Sequence, residues 1–129
     1  MIEVTQTALD AVASPPLVPG DRPIDLVHLS RMTLGDRALE RDVLVLFERQ
    51  IGLLMERIET AAAPVAAAAA HTLKGSARGI GAFALARAAS RVEEAAIAGD
   101  AVGRAAGIGS LRAAIREARA EIAGLLIPA

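Results

Sequence analysis

The spacing of apolar residues predicts α-helices from residue 24 onwards. Apolar positions recur three or four residues apart, which places their side chains on one face of a helix. A short first helix begins at Ile24 and ends near Gly35, and Asp36 is placed to cap a long second helix. The positions predicted to face inward on the second helix are Leu39, Val43, Leu46, Phe47, Ile51, Leu54 and Ile58.

Three further helices are predicted after the second. Thr60 is placed to cap a third helix that has Pro64 in its first turn and runs to about residue 79 or 81. A fourth helix covers roughly residues 82–98, and Gly99 and Asp100 supply a stop and a new N-cap. The last helix ends at Leu126, but glycines leave its start open, since each costs a helix about 1 kcal/mol. Predicted inward positions on these two helices are Leu85, Val92, Ala96, Leu111, Ile115, Ala118, Ile122 and Leu125.

These elements predict an all-α fold. Short connections make neighbouring helices antiparallel, so residues 23–127 are expected to form an antiparallel up-and-down four-helix bundle with a short leading helix. Residues 1–22 are an N-terminal extension rich in proline. Two interpretations of this extension remain open: a flexible tail, or an extended segment whose Leu17 and Val18 pack on the bundle.

Composition narrows the function classes. The chain has 129 residues, 2% aromatic residues, no cysteine and a net charge of −1. The scarcity of aromatics argues against β-folds and stacking on single-stranded nucleic acid, and the charge argues against nucleic-acid binding in general. Without cysteine there is no thiol chemistry. The apolar run at residues 61–70 is shorter than the roughly 20 residues of a membrane span, and no export signal is visible, so a cytoplasmic protein is expected.

The segment around His71 is the one candidate for chemistry. On a helix, Lys74, Gly75 and Arg78 fall on the same face as His71, and Ala67 and Ala68 lie on that face one turn earlier. The opposite face carries the apolar residues Val65, Ala66, Ala69, Leu73, Ala77 and Ile80.

This face predicts a phosphoryl acceptor. A neutral imidazole is a nucleophile at pH 7, and Lys74 and Arg78 would offset the charge of a phosphoryl group. Gly75 removes a side chain beside the imidazole, and Lys74 is the single lysine among 14 basic residues. Neither a glycine-rich phosphate loop nor a carboxylate lies near His71 in sequence, so the remaining machinery must come from a partner. His28 is expected to be structural, and two histidines without a carboxylate cluster predict no metal site.

The motif His71-x-Leu73-Lys74-Gly75-Ser76, followed by Gly81, resembles the signature of histidine-containing phosphotransfer (HPt) domains. A weaker similarity extends over residues 24–126. The resemblance implies a four-helix bundle in which His71 is phosphorylated, Lys74 stabilises the phosphoryl group and Gly75 lets a receiver domain approach. It implies receiver domains of response regulators and hybrid histidine kinases as partners, without cofactor or intrinsic kinase activity. We expect a monomer that contacts its partners through Ala67, Ala68, Lys74, Gly75 and Arg78.

Two alternatives to the carrier remain. The first is a bundle that binds a kinase or receiver as adaptor or inhibitor without being phosphorylated; retention of His71, Lys74 and Gly75 favours the carrier. The second is an enzyme with His71 as general base, which is disfavoured because no orienting carboxylate or pocket is evident from the sequence.

Overall fold

The structure is a computed structural model that describes residues 22–127. Five α-helices are arranged in chain order: α1 (Leu26–Met32), α2 (Arg37–Thr60), α3 (Ala63–Ile80), α4 (Phe83–Ala98) and α5 (Ala101–Leu125). Consecutive long helices pack side by side, and α2 also contacts α5. The described residues therefore form the expected antiparallel four-helix bundle with α1 as its short leading helix. The two interpretations of residues 1–22 concern a segment that, except for Arg22, lies outside the described residues.

Aspartates and glycines define five of the ten helix ends. The side chains of Asp25, Asp36 and Asp100 each accept a hydrogen bond from a backbone N–H in the first turn of α1, α2 and α5. Gly81 and Gly99 end α3 and α4 in the left-handed conformation, with φ of 88° and 70°. The predicted caps at Asp36 and Asp100 and the stop at Gly99 are thus confirmed.

The predicted cap at Thr60 is wrong. Thr60 is the last residue of α2, and its hydroxyl donates a 2.7 Å hydrogen bond to the Glu56 carbonyl one turn earlier. The N-cap of α3 is Ala62, which has no side-chain cap, and Pro64 stands in the first turn as predicted. Proline needs no N–H partner there, so α3 starts without a capping side chain.

The inward face of α2 is rotated relative to the prediction. Phe47, Ile51, Leu54 and Ile58 are buried as expected, but Leu39 and Leu46 are exposed. Two neighbouring helices cover only part of the circumference of α2, and the sequence places apolar residues outside that covered part as well. Val65 on α3 is exposed for the same reason, whereas Leu44 and Met55 on α2 are buried.

Small residues bring α3 and α4 close together. Their buried positions are mostly alanine, with Leu73, Ile80, Leu85 and Val92 as the larger side chains. The next contact, between α4 and α5, is close at Gly107, where an added Cβ would lie 3.1 Å from Val92 Cγ2. The cap at Asp100 starts α5 at Ala101, and the helix continues through the glycines that left its start open. The buried alanines of α3 and α4 are Ala66, Ala67, Ala69, Ala70, Ala77, Ala86, Ala88, Ala89 and Ala96.

The leading helix covers the carboxyl end of α3. The Asp25 N–H donates a 2.9 Å hydrogen bond to the Gly81 carbonyl. The His28 Nε2 lies 3.0 Å from the Gly79 carbonyl, one of the carbonyls that the end of a helix leaves without an intrahelical partner. Thus α1 fixes the end of the helix that carries His71.

Candidate functional site

His71 lies in the middle of α3 with its imidazole in solvent. Its side chain is 67% exposed, and Leu73 and Ala77 on the opposite face are fully buried. The apolar face packs in the bundle, which turns the other face, with His71, outward. An added Cβ at Gly75 would meet no heavy atom within 4 Å, so the space one turn beyond the imidazole is open.

Glu93 on α4 joins His71 to Lys74. Its Oε2 lies 2.9 Å from His71 Nδ1, and its Oε1 accepts a 2.7 Å hydrogen bond from Lys74 Nζ. The side chains of Glu93 and Lys74 are only 15% and 17% exposed. Both carboxylate oxygens are therefore engaged, one by an imidazole and one by an ammonium.

The charge of Glu93 is stabilised where it stands. The hydrogen bond from Lys74 lowers the pKa of the Glu93 carboxyl below its ordinary value, and the hydrogen bond from His71 and the positive charge of Lys74 add to this effect. Partial burial opposes them by raising the pKa. The result is a carboxylate that remains ionised at neutral pH.

Two expectations about this face are wrong. Lys74 was placed on the open face beside His71, but its ammonium is directed to Glu93 and mostly covered. Ala67 was placed on the open face, yet it is only 8% exposed, so the covered surface of α3 extends to this position. Ala68, Gly75 and Arg78 are exposed, as expected for residues available to a partner.

His28 occupies a different environment. Its Nε2 is hydrogen-bonded to the Gly79 carbonyl, and its ring contacts Phe83 edge to face at a centroid distance of 5.2 Å. These contacts agree with the structural role expected for it. Within residues 22–127, no three histidine, aspartate or glutamate side chains come together as a metal site.

Sequence reasoning missed Glu93 because it considered only carboxylates close to His71 along the chain. One signal was available: His71 and Glu93 lie at similar distances along the chain on either side of the turn at Gly81. An antiparallel pair of helices brings such residues to the same level. The expectation that His71 has no orienting carboxylate is therefore wrong, because Glu93 on the next helix supplies one.

The comparisons with known proteins agree with the motif. The family model described as Hpt domain matches residues 42–121, well over half of the chain, from within α2 to within α5. No curated protein and no solved structure matches significantly. No helix between residues 22 and 127 has the length and apolarity needed to cross a bilayer.

Proposed function

We propose that this chain, which belongs to the Hpt domain family, is a phosphorelay carrier that uses His71 as its phosphoryl acceptor. Family membership gives it a phosphotransfer role in two-component signalling, in which Hpt domains act as phosphocarrier modules that interact with receiver domains. Our proposal adds the residue and the route. His71 accepts the group from a receiver-domain aspartate and passes it to another receiver domain, as a monomer in the cytoplasm.

The observation that carries this proposal is the exposed imidazole of His71 beside the open space at Gly75. A receiver must bring its aspartyl phosphate within bonding distance of a ring nitrogen, which requires an approach free of side chains. The proposed contact surface consists of three exposed residues of α3: Ala68, about one turn before His71, and Gly75 and Arg78, about one and two turns after it.

The chain's own contribution is a positioned nucleophile. His71 lies on an open helix face, where its side chain is 67% exposed to solvent. We therefore assign the catalytic machinery to the receiver, and expect no labelling of the protein by ATP alone.

The test is transfer of labelled phosphate from a phosphorylated receiver domain in the presence of Mg²⁺. The protein should acquire an acid-labile, base-stable label, and His71→Gln should abolish it. A label that persists in the His71→Gln variant would overturn the assignment of the acceptor. An adaptor that is never phosphorylated would instead bind the receiver without acquiring a label.

A further inference from the structure

An apolar groove lies at the end of the bundle where α1, α2 and α5 meet. It has a volume of about 430 Å³, and none of its lining residues belongs to α3, so it is separate from the helix that carries His71. Its floor includes the buried side chains of Leu29 and Leu44 and the partly buried side chains of Leu26 and Leu125. The groove therefore offers an apolar surface to a further segment of chain.

Two arginines lie at the rim of this groove. Arg37 and Arg41 are exposed and one turn apart on α2. Arg41 Nη1 donates a 3.1 Å hydrogen bond to the Leu126 carbonyl, and no carboxylate between residues 22 and 127 forms an ion pair with either arginine. Glu40, also at the rim, accepts a 3.2 Å hydrogen bond from the Thr33 hydroxyl. The groove is therefore suited to an apolar segment that carries negative charge.

The chain contains such a segment immediately before Arg22. Residues 1–21 include no basic residue and three acidic ones, Glu3, Asp10 and Asp21. Leu17 and Val18 lie between prolines, which favour an extended backbone for themselves and for the residue before each of them. A segment that is already restricted to extended conformations loses less conformational entropy when it binds. Its apolar residues and its charge both match the groove.

The point where this segment joins the bundle lies close to the groove. Arg22 Nη2 is 2.7 Å from Glu121 Oε2 on α5. Leu125, in the floor of the groove, is four residues further along the same helix, about 6 Å along its axis. Leu17 and Val18 precede Arg22 by five and four residues, and an extended chain of that length reaches about 13–18 Å. Both side chains can therefore reach the floor.

A second apolar surface lies nearer to Arg22 but has the opposite charge. It runs along α5 beside Pro23, and its lining includes Glu117 and Glu121. Carboxylates repel an acidic segment, whereas the arginines of the groove attract it. Charge therefore favours the groove between α1, α2 and α5 as the site for residues 1–21.

We propose that this groove binds the chain's own N-terminal extension, with Leu17 and Val18 against its floor and the acidic residues of the extension attracted by Arg37 and Arg41. The inference is independent of the carrier function, since it uses none of the residues assigned to phosphotransfer. Its consequence concerns α1, which forms one wall of the groove and also fixes the end of α3. The bound extension holds α1 in that position.

Paramagnetic NMR of the full chain tests the contact. The chain has no cysteine, so Ser14→Cys provides a single attachment point for a nitroxide label. We expect the label to abolish the amide signals of Leu44 and Leu125 and to spare those of Ile97 and Val102, which lie on either side of the turn between α4 and α5. Unchanged signals at Leu44 and Leu125 would overturn the proposal and leave the groove to another molecule.

A matched pair of variants separates binding from mere proximity to Arg22. In the labelled chain, Leu17→Ser combined with Val18→Ser should restore the signals of Leu44 and Leu125. Leu9→Ser combined with Val12→Ser removes apolar residues from an earlier part of the extension and should leave the signals abolished. Signals that stay abolished in both double variants would show that the label is near the groove only because the chain is attached at Arg22, and would overturn the proposal.

The charge of the rim is tested in the same labelled chain. Arg37→Gln should partly restore the signals of Leu44 and Leu125, because it removes one of the two positive charges that attract the extension. Arg49→Gln changes an exposed arginine of α2 outside the groove and is the matched control. Equal signals in the two variants would overturn the role given to Arg37.

Mixing identifies which chain supplies the extension. When ¹⁵N-labelled wild type is mixed with unlabelled protein that carries the nitroxide at Ser14→Cys, the ¹⁵N signals should be unaffected. Loss of the Leu44 and Leu125 signals in the mixture would place the extension in the groove of a second copy and overturn docking within one chain.

Hydrogen exchange measures the effect on α1. The amides of α1 should exchange about tenfold faster in the variant with Leu17→Ser and Val18→Ser, because the segment that covers one wall of the groove no longer binds. The variant with Leu9→Ser and Val12→Ser should exchange at the wild-type rate. Equal exchange in wild type and both double variants would show that the extension does not hold α1, which would overturn this part of the proposal.

Discussion

The two histidines of this bundle show how the hydrogen-bond partner of an imidazole limits its chemistry. His28 faces a backbone carbonyl through Nε2, and because a carbonyl only accepts, that nitrogen must carry a proton. His71 faces a carboxylate through Nδ1, which leaves Nε2 deprotonated in the neutral ring. The two rings thus hold opposite tautomers when neutral.

This difference separates a structural histidine from a candidate nucleophile. Nε2 is the outer ring nitrogen, and in His28 it is used to satisfy the end of α3. In His71 the inner nitrogen is used instead, and the outer one is left for another molecule. The distinction depends on residues far away in sequence, Gly79 for one ring and Glu93 for the other.

The largest expected effect is that variants of the two histidines lose different properties: one loses phosphotransfer and the other loses stability. His71→Gln should abolish transfer and change the free energy of unfolding by less than about 0.5 kcal/mol, because its side chain is exposed. His28→Leu should retain transfer but lose about 1–2 kcal/mol of stability, because the Gly79 carbonyl loses its donor. Phosphotransfer and urea unfolding measure the two effects. The comparison fails if His28→Leu loses transfer while remaining folded.

The next effect concerns access to His71. Gly75→Leu should slow transfer about tenfold or more, because the leucine side chain fills the space beside the imidazole and keeps the aspartyl phosphate of the receiver away from it. Its stability should be equal or higher by up to about 1 kcal/mol, since leucine favours helix over glycine. Transfer assays and thermal unfolding are the measurements. Normal transfer by this variant would place the receiver contact elsewhere.

A smaller effect distinguishes two adjacent alanines of α3. Ala67→Leu should cost about 1–3 kcal/mol, because Ala67 is packed in the bundle and a larger side chain forces its neighbours apart. Ala68→Leu should leave stability within about 0.5 kcal/mol and instead weaken receiver binding, because Ala68 is exposed. Urea unfolding and a binding titration separate these outcomes. Equal destabilisation by the two changes would contradict the orientation of α3.

The smallest effect appears in acid. The pKa of Glu93 is lower in the folded than in the unfolded chain, so its ionisation stabilises the fold above the unfolded value, and this is lost as pH falls through the folded value. The stability difference between wild type and Glu93→Gln should be under about 1 kcal/mol at pH 7 and decrease on acidification below the ordinary carboxyl range. Urea unfolding at several pH values measures it. A difference that grows in acid would contradict the sign.

The sequence predicts the ends of the helices better than it predicts which residues of different helices come into contact. Local signals such as Asp36, Asp100 and Gly99 act within one turn, so they identify helix ends correctly. The burial of Leu44 in place of Leu46 depends on which part of α2 its neighbours cover. Glu93 is the same kind of case, because its partners His71 and Lys74 lie on another helix and no local pattern marks it.

The alanines between α3 and α4 have a consequence for how reproducibly Glu93 meets His71. An alanine side chain has no rotamers, so an interface built from it loses no side-chain conformational entropy on folding and offers no alternative packing arrangements. The spacing of the two helices is then determined by backbone contact. The relative position of Glu93 and the helix carrying His71 is therefore held by an interface in which few side chains can change rotamer.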